Sequence, residues 1–403
     1  MKIFFCETFD DGTVGGSHAC MYNLIRHMDR SKMACTVGFL GDNVYVRRYR
    51  DLGIHVEILP LRTNPARSGN IIARKIVNWY RLEYKAGRYL EDYFRREGFD
   101  LVVLNNSIFV SLLFVSVCMK LHIPVICYER GLGPYSKKHI KASADLDCSI
   151  PVSNAVYKHI MSNGFRTKRI ERIYDGIDPS AYVVENTPAS IKAGLNIPFT
   201  SRVIGIIGNI RPWKGQKYFI DAFLELSREY DDLYGIVAGG WSKEDEWFVD
   251  ILKKTVQEAG IGHRVLFLGY RRDVPELLSI FDVFIHASTK PEPFGMVILE
   301  AMAARKPVVA TNLGGPIEIL NNGECGILVP PKDGRAIAAS CRTYLNDSRF
   351  CRTTIEKAYR RLMMHFQIDH TVGRTVHIFE SLSHQRNYGS EMHELSHDES
   401  VKM

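Results

Sequence analysis

Short apolar runs rich in β-branched residues, each followed by a segment long enough for a helix, alternate along this chain from end to end. The runs are KIFF, ACTVGFL, HVEILPL, DLVVLNN, PVICYE and CSIPVS in the first half, and RVIGIIG, YGIVAGG, RVLFLG, VFIHAS, PVVAT and GILVP in the second. Continuous apolarity marks strands buried on both faces, and a helix between successive strands lets them pair in parallel. The pattern therefore predicts an α/β fold of parallel sheets covered by helices, and two such series predict two Rossmann-like domains. At 403 residues the chain also exceeds what one hydrophobic core usually organises.

The alternation lapses over residues 179–200, where Pro179, Pro188 and Pro198 stand in a stretch without a sustained strand pattern. The expected division is a first domain over residues 1–190, a second over 191–365, a helix over 366–383 and a polar, mobile tail over 384–403. The N-terminus MKIFFCETFDD reaches acids after a four-residue apolar run, too short for a signal-peptide core, and reads as a first strand. No window approaches 18 uncharged apolar residues, so no membrane-spanning helix is expected. The nine cysteines are odd in number and lack a CxxC pair, which predicts neither a disulfide framework nor a zinc site and fits a reducing, cytoplasmic setting.

Charge is unevenly divided. Residues 1–190 carry 26 Lys and Arg against 19 Asp and Glu, whereas residues 191–403 carry 26 of each, so the whole net charge of +7 lies in the first half. That excess would attract anionic headgroups, phosphates or acidic glycans; a solvated basic surface is the alternative. Residues 71–99 interleave Trp79, Tyr80, Tyr84, Tyr89, Tyr93 and Phe94 with Arg74, Lys75, Arg81, Lys85, Arg88, Arg95 and Arg96. Such a stretch suits a helix on the inner face of a membrane, or an ordinary domain helix packing its aromatics inward. No nucleic-acid partner is expected.

In open parallel sheets the binding crevice lies at the carboxyl ends of the strands. The strand FDVFIHAS is followed there by TKPEPFGMVILEAMA, in which Glu292 and Glu300 bracket Phe294, Gly295 and Met296. A helix opened by Gly295 would aim its free amides and positive dipole end at an anion such as a diphosphate. Glu292 could then accept hydrogen bonds from sugar hydroxyls, and Glu300, expected two turns into the helix, could grip a ribose. Upstream, RVIGIIGNIRPWKGQ has the same layout, with Asn209, Arg211 and Lys214 in the turn; Lys214 offers a point charge and Arg211 a bidentate one to phosphate. A charged turn between strand and helix is the bland alternative for Lys214-Gly215. Near the N-terminus Gly15-Gly16-Ser17 precede a helix and permit close approach of a ligand or a positive φ.

Taken in order, FDDGTVGGSHACMYNLI, DLVVLNNS, PVICYERG, ADLDCSIPVSNAV, RIYDGID, IGNIRPWKGQKYFIDAF, RVLFLGYRRDVPELLSIFDVFIHAS, PEPFGMVILEAMA, PVVATNLGGPIEIL and GECGILVPPKD resemble glycosyltransferase family 4, the group 1 transferases, over residues 1–383. The second half matches closely and the first in layout only. The resemblance implies the GT-B fold: two Rossmann-like domains facing across a cleft, with the last helix crossing back onto the first domain. It implies a retaining, metal-independent sugar transfer from a nucleotide-sugar donor to a glycan or lipid-linked acceptor, in cell-surface polysaccharide or lipopolysaccharide synthesis, with no cofactor. By the same resemblance Glu292 faces the donor sugar, Glu300 the ribose and Lys214 the phosphates. Gly16, with Gly15, lines the phosphates from the other domain, Tyr270 flanks the base, and the amides at Gly295 and Met296 meet the diphosphate.

Two positions depart from the family pattern. Asn209 stands where an arginine is usual, and Arg211 is expected to supply the charge from two positions on. Arg130, preceded by Glu129, stands where a histidine is usual near the donor sugar; as a catalytic residue an arginine could stabilise leaving-group or acceptor charge but could not act as a general base. Retention fits a same-face substitution in which a donor phosphate oxygen takes the acceptor proton. Catalysis would then come from positioning and from Lys214, Arg211 and helix-end amides stabilising the departing diphosphate. Asp145-Leu146-Asp147 spells a DxD but precedes a strand and is read as structural; His18 is read as structural ahead of an acceptor contact, and Glu318 as a helix-start acid as readily as a family position. An epimerase or phosphorylase on the same scaffold, and a non-catalytic nucleotide-sugar or glycan binder, are the rival readings.

Overall fold

The computed structural model describes residues 1–7, 15–61 and 84–399. The chain forms two compact units, one of Met1–Tyr174 with Asp369–Met403 and one of Asp175–Ile368. Every run read above as a strand is one.

In the first unit β1 (Lys2–Glu7), β2 (Ala34–Phe39), β3 (His55–Ile58), β4 (Leu101–Leu104), β5 (Val125–Glu129) and β6 (Cys148–Pro151) form a sheet of order β3-β2-β1-β4-β5-β6. In the second, β7 (Arg202–Ile207), β8 (Leu233–Ala238), β9 (Val265–Gly269), β10 (Val283–His286), β11 (Val308–Thr311) and β12 (Ile327–Val329) form one of order β12-β11-β10-β7-β8-β9. All these pairings are parallel. Counted from its own first strand, each sheet has the same order. The direction of winding therefore reverses between β1 and β4 in one unit and between β7 and β10 in the other, the places where such sheets open a crevice.

Interior strands are apolar on both faces because helices cover both: β4 and β5 are wholly buried, as are β10 and β11. In the first unit Phe4 meets Tyr93, Phe94, Phe99 and Phe114 with ring centroids 5.0–6.3 Å apart. Tyr93 and Phe94 come from the helix Ala86–Glu97, whose Arg95 and Arg96 point to solvent. In this described part of the basic, aromatic stretch the helix turns Tyr93 and Phe94 inward, while Tyr84 ahead of it is exposed; residues 62–83 lie outside the described residues.

The division between the units falls at Tyr174/Asp175 rather than at residue 190, because the proline-rich stretch starts helices instead of linking domains. Pro179 and Pro188 each occupy a first helical turn, where a missing N–H costs nothing, behind Asp178 and Thr187 as N-caps. The turn Pro179–Tyr182 packs on the helix Met296–Ala303, and the helix Pro188–Gly194 packs on Val274–Ser279. Buried Lys192 ties the stretch down through bonds from Nζ to the carbonyls of Ser201 (2.7 Å) and Phe199 (3.1 Å). At the other end of this unit Ile177 donates to Phe366 and accepts from Ile368, both at 2.9 Å.

The terminal helix runs Ile368–Glu399, further than the expected 366–383, and from Asp369 it belongs to the first unit. Its Phe379 ring lies 6.1 Å from Phe5, Thr375 shares a 2.6 Å hydrogen bond with the Tyr128 hydroxyl, and Ser381 accepts one of 2.9 Å from Arg169.

Candidate functional site

At the reversal point of the second sheet the loops after β7, β10 and β11 are pressed together backbone to backbone. Gly215, at φ +79°, lies so close to β10 that a Cβ would run into the Ala287 carbonyl, and the Thr289 amide donates to the Trp213 carbonyl at 2.7 Å. Gly314, at φ +68°, packs against the Glu292 backbone, whose carbonyl accepts from the Gly315 amide at 2.9 Å. Only glycine combines these conformations with these approaches. The result is that Lys214, 78 positions away in sequence, meets Glu292.

Glu292 is the centre of the arrangement. Its Oε1 lies 2.6 Å from Lys214 Nζ and 3.0 Å from His286 Nε2, and it also accepts from the Ser288 hydroxyl. Glu292 is only 6% exposed and His286 5%. Burial opposes the charge on Glu292, but Lys214 and then His286 outweigh it and hold the carboxyl well below its ordinary range. It stays a carboxylate. Ser288 is itself steadied by Thr311, whose hydroxyl donates to its carbonyl at 2.8 Å.

Gly295, at φ +127°, opens the helix Met296–Ala303 with no side chain capping it. The first-turn amides and the dipole end are therefore set beside the Lys214–Glu292 pair, an arrangement suited to an anion. Phe294 is buried, its ring 5.9 Å from Phe366, so it can offer a ligand only its backbone. Met296 is the first residue of the helix, which puts Glu300 one turn in rather than two. Burial pushes the Glu300 carboxyl up to about 7, against the opposing effect of a hydrogen bond from Tyr182.

Other expected residues take different places. The Asn209 carbonyl accepts from Gln216 at 3.0 Å. Arg211 lies beside Asp245, Nε to Oδ2 at 3.5 Å, so an acid already shares the charge expected for a phosphate. Tyr270, half exposed at the end of β9, approaches Gly240 at the end of β8, where Trp241 is also exposed.

The first unit has its own polar cluster at the matching point. Glu7, at the end of β1 and 1% exposed, accepts from Asn105 at 2.7 Å and from Asn106, with His18 Nε2 3.9 Å away. Arg130 donates from Nε to the Asn105 carbonyl at 3.1 Å and side-chain oxygen at 3.2 Å, with its guanidinium 4.7 Å above the Tyr128 ring. Glu129 is buried against Tyr135, which donates to it at 2.9 Å, and burial raises its carboxyl. Gly15 is extended at φ −99° and Gly16 begins the helix Gly16–His27, so neither uses a positive φ. His18 is buried with its ring 5.6 Å from Tyr45. Sequence reasoning missed Glu7, His286 and Ser288; the signal available for His286 was a polar residue ending an otherwise apolar strand.

Asp147 of the DxD is structural: it accepts from the Val125 amide at 2.8 Å and pairs with Lys168 at 2.8 Å. Backbone carbonyls of Glu318 and Ile319 accept from Arg361, both at 2.9 Å. The nine cysteines are free thiols. Among the described residues no cluster of three metal-ligating side chains occurs and no helix is long and apolar enough to cross a membrane. The fourteen histidines are expected from the sequence to show no HxxxH or HExxH spacing, but His393-Glu394-Leu395-Ser396-His397 has it, on the terminal helix where no side chain is described.

The chain matches the family described as glycosyl transferases group 1 over residues 189–361 and glycosyltransferase family 4 over residues 14–181. It is 31% identical over 180 residues to the lipopolysaccharide core biosynthesis mannosyltransferase LpcC of Rhizobium leguminosarum bv. viciae, covering 45% of this chain and 51% of that one. It is 28% identical over 212 residues to the lipopolysaccharide core biosynthesis mannosyltransferase LpsB of Rhizobium meliloti (strain 1021), covering 52% and 60%. The chain thus spans about half the length of the curated relatives it matches. The crystal structure of HepE from Anabaena, in complex with UDP-glucose, superimposes with a TM-score of 0.80 at 24% identity, covering 94% of this chain and all of that one.

Proposed function

Because the chain belongs to glycosyltransferase family 4, the group 1 transferases, we propose that it moves a sugar from a nucleoside-diphosphate sugar to a glycan or lipid-linked acceptor, with retention and without a metal. The observation that carries this reading is the Lys214–Glu292 pair beside the uncapped start of the helix Met296–Ala303. A cation and helix-end amides suit a diphosphate, and a fixed carboxylate suits sugar hydroxyls. Glu300 and its partner Tyr182 suit a ribose, and Tyr270 with Trp241 a nucleobase. The two Rhizobium mannosyltransferases support an acceptor in lipopolysaccharide or cell-surface polysaccharide synthesis, and the HepE complex supports a nucleoside-diphosphate donor.

In this reading the bond from the anomeric carbon to the diphosphate oxygen breaks as the acceptor oxygen bonds to the same face of that carbon. A donor phosphate oxygen takes the acceptor proton. Lys214 and the helix-end amides stabilise the charge on the leaving diphosphate, and no protein nucleophile is needed. The first unit, which carries the net positive charge and Arg130, binds the acceptor and meets an anionic membrane surface from the cytoplasmic side. The test is to incubate the protein with candidate donors and acceptors in EDTA and read the anomeric configuration of the product. Transfer with retention supports the reading. Tight donor binding with no turnover on any acceptor would favour a non-catalytic binder, and a changed sugar released without acceptor an epimerase.

A further inference from the structure

The Lys214–Glu292 pair poses a problem for the donor reading, on which this inference rests. If Lys214 turns its ammonium to a diphosphate, a carboxylate buried to 6% exposure loses its nearest cation. A carboxylate in such a place without donors would be neutralised or displaced.

We propose that His286 is a positioning residue, which with Ser288 holds Glu292 in place, ionised and aimed at the donor sugar, when Lys214 engages the diphosphate. His286 is anchored on β10, where it pairs with Ala310 of β11, so its ring is carried by the sheet and not by a loop. Its Nε2 lies 3.0 Å from Glu292 Oε1 and 3.4 Å from the Ser288 hydroxyl, which itself donates to the same carboxylate oxygen. Its Nδ1 is buried and has no hydrogen-bond partner among the described residues. A buried N–H left unpaired costs more than an unused lone pair, so the proton belongs on Nε2, where it is donated to Glu292. Lys214 approaches from the β7 loop, which closes against Ala287 at Gly215, so the two donors reach Glu292 from different elements and one can move without the other.

A nucleoside diphosphate would call on Lys214 alone, whereas a nucleotide-sugar would also present its sugar hydroxyls to Glu292. The test compares wild type, His286→Leu, His286→Gln and His286→Asn by calorimetric titration with UDP, GDP, UDP-glucose and GDP-mannose, alongside kcat and KM for whichever donor turns over. The Gln side chain places an N–H close to the position of Nε2, and the shorter Asn does not. The expected result is that His286→Leu and His286→Asn lose about tenfold in nucleotide-sugar affinity or kcat and severalfold less in nucleoside-diphosphate affinity, and that His286→Gln recovers most of it. Should the Leu variant fail to fold, the Gln and Asn pair carries the same comparison. Equal losses for diphosphate and nucleotide-sugar, or equal behaviour of the Gln and Asn variants, would overturn the role of His286 and leave the donor site standing. A wild type that binds no nucleotide-sugar would overturn the donor site and this inference with it.

Discussion

The two units share one strand order, and at the reversal point of each a buried glutamate is held by side chains from a neighbouring strand end or loop. Their partners differ. Glu7 is held by the neutral amides of Asn105 and Asn106, whereas Glu292 is held by the ammonium of Lys214 with His286 and Ser288. An amide cradle fixes a carboxylate without bringing a positive charge; a lysine brings a charge that a phosphate can share. The loops differ too, since Gly215 and Gly314 are jammed against neighbouring backbone while, among the described residues, the atom nearest a Cβ at Gly15 is the Ser17 hydroxyl at 4.0 Å. One fold thus carries a tightly closed, charged site in one unit and a buried carboxylate held by amides in the other, a difference that fits the proposed division into donor and acceptor sites.

The sharpest way to break the comparison is to remove one cation from each unit. Lys214→Ala should weaken donor binding on the order of 100-fold, about 3 kcal/mol, by titration. Arg130→Ala should leave donor affinity within about threefold and lower kcat instead. If both variants lost donor affinity alike, the division of labour would be wrong. Arg211→Ala should change donor affinity less than about threefold while Asp245 keeps its side chain engaged; a loss matching that of Lys214→Ala would show that Arg211 replaces the arginine missing at Asn209.

Glycine substitution gives the next largest effect. Gly215→Ala should destabilise the protein by about 2 kcal/mol or more in denaturant melts, because both its φ and the Ala287 carbonyl forbid a Cβ, and donor affinity should fall with it. Gly15→Ala, in extended backbone and with no described atom closer than 4.0 Å to its Cβ, should stay within about 0.5 kcal/mol. Equal costs would mean that the loops are equally rigid.

Protonation sharpens the picture further. Glu300 binds its proton more tightly folded than unfolded, so its contribution is fully present below about pH 4.5 and lost as pH rises through about 7. Glu300→Gln should therefore gain thermal stability over wild type above pH 7 and match it near pH 4. Glu292 has the opposite sign: its carboxyl is depressed, so its contribution holds above about pH 4.5 and disappears only in stronger acid. A Glu300→Gln variant whose advantage did not grow with pH would contradict the desolvation of the Glu300 carboxyl.

The smallest expected effect concerns charge. Vesicles containing anionic lipid should bind the protein better than neutral ones, in a salt-sensitive way, with replacement of exposed Lys137, Lys138 and Lys141 by alanine weakening binding by about 1 kcal/mol each at most. Equal partition onto neutral and anionic vesicles would make the basic first half a solvated surface.

The sheets were legible because β-branched runs of strand length, separated by helix-length segments, permit little else. Lys214, Glu292 and Gly295 were legible because each sits in a turn whose local residues announce a strand followed by a helix. What escaped was long-range. Nothing near Glu292 says that Lys214 will pair with it, or that Asp245 will face Arg211, since those meetings depend on how β7, β8 and β10 order themselves. His286 and Ser288 hid inside VFIHAS because a strand was sufficient reason for that run. Glu7 hid among the acids that follow β1. Prolines near residue 180 read as a linker because a proline at a helix start and a proline in a loop look alike until the N-caps Asp178 and Thr187 are seen to work.

The most direct test of the donor site is thermal stabilisation by a panel of nucleotide-sugars with EDTA present, on wild type and on Glu300→Ala. A donor at about 100 times its Kd should add about 2.7 kcal/mol and raise the melting temperature by several degrees. The account predicts such a rise for at least one donor, unaffected by EDTA and lost in Glu300→Ala. No rise with any donor, or a rise that survives in Glu300→Ala, would contradict it.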